Sequence, residues 1–280
     1  MSIILAAISA LLYGSADFAG GLTSRTNSVG SVLVVSQIAG TVIALVAAPL
    51  VGPNGPGLSD LLWGAAAGLG GAVGLLALYR GIASTLVAVV SPTSALIGAI
   101  VPVAFGLASG ERPTVHAWIG IALCLPAVLL LTATGTEAAP ARANARRALV
   151  YGALAGLGFG CFFIAISRPS AEAGLWPLIA ARFVSVVLVA VTAIAAGKQL
   201  RVARGTILLV CAAGVLDMSA NVAFVVASRG SLLSLVTIVA SLFPAPTVLL
   251  AWLFFHERVP AFRIAGLAMA IAGVALIGIG

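Results

Sequence analysis

Gly81 to Gly110 reads GIASTLVAVVSPTSALIGAIVPVAFGLASG, thirty residues without one charged side chain. A hydrocarbon core is about 30 Å thick and an α-helix rises about 1.5 Å per residue, so about 20 apolar residues cross it. The run is longer than that minimum. A second run, Gly230 to Phe255 (GSLLSLVTIVASLFPAPTVLLAWLFF), is free of charge for 26 residues. Working outward, short polar punctuation divides the chain into ten apolar segments: 2–22, 31–51, 60–80, 84–108, 114–132, 148–167, 175–196, 204–227, 231–254 and 261–279. In lipid only a helix or a closed barrel satisfies every backbone polar group. The segments are long and lack dyad alternation, so they are expected to be helices. The fold class is therefore an all-α integral membrane protein with ten transmembrane helices.

Composition agrees. Of 280 residues, 62% are hydrophobic and 8% charged, and mean hydropathy is +1.23. A soluble domain carries about 25% charged residues. This excludes a soluble enzyme, a disulfide scaffold and a disordered chain. No loop is long enough for a soluble domain. The net charge of +7 is spread over short loops as topology signals, not gathered as a nucleic-acid patch. Cys124, Cys161 and Cys211 lie in apolar runs without metal-ligand spacing and read as packing residues. Residues 2–22 have no basic region ahead of them and read as a retained first span.

The two charge-free runs hold Pro92 and Pro102, and Pro244 and Pro246. A proline removes a backbone donor and frees a carbonyl. Two outcomes fit, a shape adjustment in a tilted helix or a broken helix lining a cavity. Glycines recur at four-residue spacing, Gly64/Gly68, Gly70/Gly74 and Gly152/Gly156/Gly160, which places small residues on one face for close helix packing.

Residues 133–147, rich in Ala, Thr, Pro and Arg, divide the chain nearly in half as a linker between units 1–132 and 148–280. The halves resemble each other. Leu12-Tyr13-Gly14 parallels Gly158-Phe159-Gly160, Glu111-Arg112-Pro113 parallels Glu257-Arg258-Val259, and Gly120 parallels Gly266, all at an offset of 146. Tyr79-Arg80-Gly81 parallels Ser228-Arg229-Gly230 at 149, which places a three-residue length difference in the fourth helix. Five helices is an odd number, so the second half enters the membrane inverted. Inverted repeats can exchange conformations and open a midplane site to either face in turn.

On these residues the chain resembles ten-helix, EamA-type members of the drug/metabolite transporter superfamily. The resemblance rests on the two Glu-Arg pairs, the two Arg-Gly pairs and Ser241-Leu242-Phe243-Pro244. It implies two similar five-helix units around a central cavity. It also implies a multi-pass inner-membrane carrier of small organic solutes, with export favoured; the alternatives are an uncoupled exchanger or uniporter of the same fold and a non-transporting membrane sensor or assembly component. In the first half no proline stands at the matching distance from Glu111.

Three charges fall within spans away from their ends: Asp17, Arg182 and Asp217. A charge at mid-helix costs about 2.5–3.5 kcal/mol on insertion scales and persists where it is paired, protonated or wetted. Asn221 shares a helix face with Asp217, as Tyr13 does with Asp17. Gln37 stands near the repeat-equivalent of Arg182. One reading makes Asp217, with Asp17 second, a carboxylate that takes up and releases a proton. Arg182 is then a fixed counter-charge or carboxylate clamp. The other makes Asp and Arg a structural pair and Asn221 and Gln37 interhelix glue. The Glu-Arg pairs read as links to neighbouring helix ends, and Arg25, Arg80, Arg168 and Arg229 as interfacial anchors.

There is no catalytic residue pattern, metal site, Walker A sequence or cofactor signature. The implied partners are a small-molecule substrate and the lipid bilayer, without nucleic acid, for a monomer or a homodimer. Ten spans leave both termini on one face. Loops on that face hold Arg112, Arg168 and Arg229, while the opposite loops hold ten basic residues. The positive-inside rule puts the termini outside, whereas the family resemblance puts them in the cytoplasm.

Overall fold

The computed structural model describes residues 1–51, 55–133, 145–197, 200–256 and 259–279. Its helices are α1 (Ser2–Thr23), α2 (Val29–Val51), α3 (Leu58–Ser84), α4 (Val87–Ala108), α5 (Val115–Thr132), α6 (Ala145–Ile166), α7 (Trp176–Ala195), α8 (Ile207–Arg229), α9 (Leu233–Ala240), α10 (Pro244–Phe255) and α11 (Ala261–Ile279). Ten stretches among the described residues are long and apolar enough to cross a membrane, with α9 and α10 together making the ninth. The expected ten-helix membrane fold is present, as two five-span repeats. Helix starts follow local chemistry. The Thr114 hydroxyl accepts from the Ala117 N–H at 3.2 Å ahead of α5, and Asp60 accepts from the Gly57 N–H at 3.0 Å at the head of α3.

The prolines act differently in the two halves. α4 stays helical through Pro92 and Pro102, so neither breaks the helix. They stand ten residues apart, and each removes one donor from a different part of the ladder. Pro244 and Pro246 do end a helix. In an α-helix their missing N–H groups would have served Ala240 and Leu242. Instead the Phe243 N–H donates to the Ala240 carbonyl at 3.2 Å, and the Ala245 N–H to Leu242 at 2.9 Å. Two missing donors two residues apart tighten the chain into i→i+3 turns at Ser241–Phe243, between α9 and α10.

The helix contacts are symmetric. α1 packs on α8 and on α9–α10, as α6 packs on α3 and α4. α2 lies on α8 as α7 lies on α3, and α5 lies on α11. Exchanging the first five spans for the last five returns these principal contacts. The glycine rows make the closest approaches. A Cβ at Gly68 would strike the Ala181 backbone, and one at the repeat-equivalent Gly214 would strike the Ser36 carbonyl. A Cβ at Gly120 would lie 2.7 Å from the Gly273 oxygen, and one at Gly266 3.3 Å from that of Ala127.

This packing corrects one alignment. The residues that precede the fourth and ninth spans, Leu86 and Leu232, keep the 146 offset. The three-residue slip at Arg80-Gly81 and Arg229-Gly230 therefore lies ahead of those spans, at the ends of α3 and α8, and the fourth helix is not the source of it. The contacts also sort the spans into two clusters that each draw on both halves. One holds α3, α4, α6 and α7; the other holds α1, α2, α8 and α9–α10.

Candidate functional site

A cavity of about 350 Å³ lies between the two clusters, within the range of small-molecule sites, about 300–1,000 Å³. α1 contributes Tyr13 and Asp17, α7 Arg182, α8 Asp217 and Asn221, and the α9–α10 break Ser241 and Phe243. The break thus presents two residues to the cavity. The lining continues along Leu75, Leu78 and Tyr79 of α3 and Ser91 of α4 to Thr132, the last residue of α5. Those positions lie toward the face opposite the termini.

Five of the polar residues singled out in the sequence come together here, and Arg182 and Asp217 form an ion pair between α7 and α8. Asp217 also offers its backbone carbonyl to the Asn221 side-chain amide at 2.7 Å. Asp17 makes no hydrogen bond or ion pair with any described residue, and its side chain is accessible from the cavity. The Tyr13 hydroxyl is buried without a hydrogen-bond partner among the described residues. Its ring meets Phe163 and Phe243 edge-on at 6.4 Å each. Gln37 stands outside the cavity lining. It is buried and accepts from the Ser185 hydroxyl at 2.6 Å, a bond between α2 and α7.

Further polar contacts join the clusters on the terminus face. The Glu111 carboxylate accepts from the backbone N–H groups of Leu233 at 2.7 Å and Ser234 at 3.0 Å, so it caps α9. Charge and orphan donors meet there as they do at any helix start. Arg229 of α8 donates to the Ser170 carbonyl at 3.2 Å, while Asp60 of α3 accepts from the Ser170 N–H at 2.8 Å. Arg168 sits near the Trp63 and Phe105 rings at 6.0 and 5.6 Å. On the opposite face the Asn27 side chain bonds Thr206 at 3.0 Å and Ala203 at 2.7 Å, all within one cluster. The second Glu-Arg pair, Glu257-Arg258, lies outside the described residues.

Sequence reasoning missed Tyr79, Phe159, Phe162, Phe163 and Phe243 as lining residues. Aromatic residues in an apolar span carry no mark that separates the cavity face from the lipid face. A signal did exist for Phe243, which stands directly before the break at Pro244. No group of three His, Cys, Asp or Glu residues able to hold a metal ion occurs among the described residues.

The family model for the EamA-like transporter family matches residues 1–133 and again 146–279. A protein of known crystal structure has the same fold, with a TM-score of 0.76 at 17% sequence identity, over 99% of this chain and 97% of that one. No curated protein sequence matches the chain.

Proposed function

The chain belongs to the EamA-like transporter family, and from that premise we propose that it is a secondary carrier of small organic solutes working by alternating access through the cavity at Asp217. The observation that supports this is an asymmetry of closure. Glu111 and Arg229 tie the two clusters together on the terminus face. The cavity meanwhile runs toward the opposite face, where the Asn27 bonds stay within one cluster. A pseudo-symmetric structure closed on one side has a near-equivalent closed on the other. Rocking the clusters against each other exchanges the two.

Units 1–132 and 148–280, joined by 133–147, are the units of repetition. The moving bodies are the mixed clusters, because their internal packing is the more extensive. Asp217 is the coupling group and Asp17 the second candidate. Protonating Asp217 dissolves the ion pair with Arg182, one of the mid-depth links between the clusters. Proton uptake would thereby loosen the same boundary that has to open. The carrier resides in the inner membrane and exports its solute.

The test is flux in proteoliposomes, using a solute chosen by thermal-shift screening of the purified protein. A tryptophan at Gly98 should fill the cavity and stop flux. A Cβ there meets only ordinary contacts, with Phe159 at 3.6 Å and Gly156 at 3.7 Å. Asp217→Asn should abolish the response to an imposed pH gradient. Undiminished flux through Gly98→Trp overturns the cavity as the route, and an unchanged pH response in Asp217→Asn overturns proton coupling. A second reading, an uncoupled exchanger, is favoured by the Arg182–Asp217 pair already satisfying both charges. It predicts wild-type flux indifferent to the pH gradient.

A further inference from the structure

The cavity's charges do not cancel. Among the described residues its lining holds two carboxylates, Asp17 and Asp217, and one guanidinium, Arg182. Arg182 and Asp217 neutralise each other. Asp17 is left over, fifteen residues into a 22-residue span, with no donor from any described residue. An ionised carboxylate at that depth is costly unless something compensates it. One helical turn earlier, on the same face, the Tyr13 hydroxyl is buried and without a partner. Around them stand the rings of Tyr79, Phe159, Phe162, Phe163 and Phe243. Aromatic faces carry negative potential and attract cations.

From this arrangement we infer that the cavity selects an organic monocation with an aromatic body, its charge set against Asp17 and its ring among the aromatic side chains. This rests on the reading of the cavity as the transport route. An organic anion fits poorly, because it meets the uncompensated Asp17 and finds Arg182 already engaged. A zwitterionic amino acid satisfies Asp17 with its ammonium group, but its carboxylate has to displace Asp217 from Arg182. The cation needs no such displacement. The Tyr13 hydroxyl supplies a polar contact to a substrate group beside the charge.

Three probes share one aryl-alkyl body and differ in charge: phenethyltrimethylammonium, phenylalanine and 3-phenylpropanoate. Binding of radiolabelled phenethyltrimethylammonium to the purified full-length protein in detergent, with the other two as competitors, reads the preference directly. The expected result is saturable cation binding, with each competitor at least tenfold weaker than unlabelled cation. Asp17→Asn should weaken cation binding at least tenfold, while Asp17→Glu, which keeps the charge, should retain it. If Asp17→Asn aggregates, the wild-type competition series and Asp17→Glu still decide. Absent cation binding, equal competition by phenylalanine or phenylpropanoate, loss of binding in Asp17→Glu, or undiminished binding in Asp17→Asn overturns the inference. Binding in detergent involves no gradient, so such a failure leaves the carrier reading standing. Asp17-dependent cation binding without flux in liposomes overturns carriage and leaves the charge preference intact.

Discussion

Replacing Gly214 with alanine tests the tightest seam in the molecule. A Cβ at that position falls on the Ser36 carbonyl oxygen, and the facing Gly40 would place its own Cβ 3.1 Å from the Met218 Cβ. Both obstacles are close to the backbone, so no side-chain rotation relieves them. A comfortable heavy-atom contact needs about 3.5 Å; a parting of α2 and α8 by on the order of 1 Å relieves part of the overlap and the rest stays as strain. A gap of that size forfeits a quarter to a half of each dispersion contact of about 0.1–0.2 kcal/mol. Over roughly 20–30 atom pairs along the seam this is about 1–2 kcal/mol, and residual strain adds about another 1 kcal/mol. Alanine's helix propensity returns up to about 1 kcal/mol. The net expectation is about 1–2 kcal/mol of destabilisation. Gly20 is the control, because a Cβ there meets nothing within 4 Å. Gly20→Ala should be neutral or stabilising by up to about 1 kcal/mol. Unfolding by sodium dodecyl sulfate in mixed micelles, followed by circular dichroism, measures the difference. Gly68→Ala, at the repeat-equivalent position, should behave like Gly214→Ala. Coincident unfolding curves for Gly214→Ala and Gly20→Ala would refute the close-approach argument.

Two more perturbations follow from the geometry. Glu111→Ala leaves the Leu233 and Ser234 N–H groups without their acceptor and should cost about 1–3 kcal/mol, discounted for partial exposure. Hydrogen exchange at those two amides reads it, and unchanged protection counts against the cap. Restoring both donors with Pro244→Ala and Pro246→Ala together should let α9 run into α10, withdraw Phe243 from the cavity and reduce flux several-fold. Wild-type flux from this double variant would show that the break has no part in transport.

Much of the architecture was legible because the bilayer imposes length and polarity on each span. Charge-free runs such as Gly81 to Gly110 can satisfy their backbones in only one way, and an odd number of spans per half dictates inversion. Arg182, Asp217 and Asp17 were legible as candidates because a charge within a span is rare for energetic reasons. Their arrangement was not. Whether Arg182 reaches Asp217 depends on the rotation of α7 and α8, which packing sets. The same rotation hides the aromatic lining, since Phe159 and Phe163 read like any lipid-facing phenylalanine. The prolines were ambiguous for a related reason. Two missing donors ten residues apart are tolerated within α4, and only the close pair at 244 and 246 exceeds what the ladder absorbs. The membership of the two clusters was also out of reach, because sequence repetition groups α1 with α3 whereas packing groups α1 with α8.

The broken ninth span has no twin. α4 runs unbroken where α9 gives way to α10, so a swap of conformations between the repeats cannot reproduce the starting geometry in mirror form. Under the proposed alternating access, the inward- and outward-facing forms then differ in energy even with nothing bound. A difference of only about 1.4 kcal/mol would park roughly nine molecules in ten facing one way. The interrupted helix is in that sense a ballast, setting where the empty carrier waits for its next passenger.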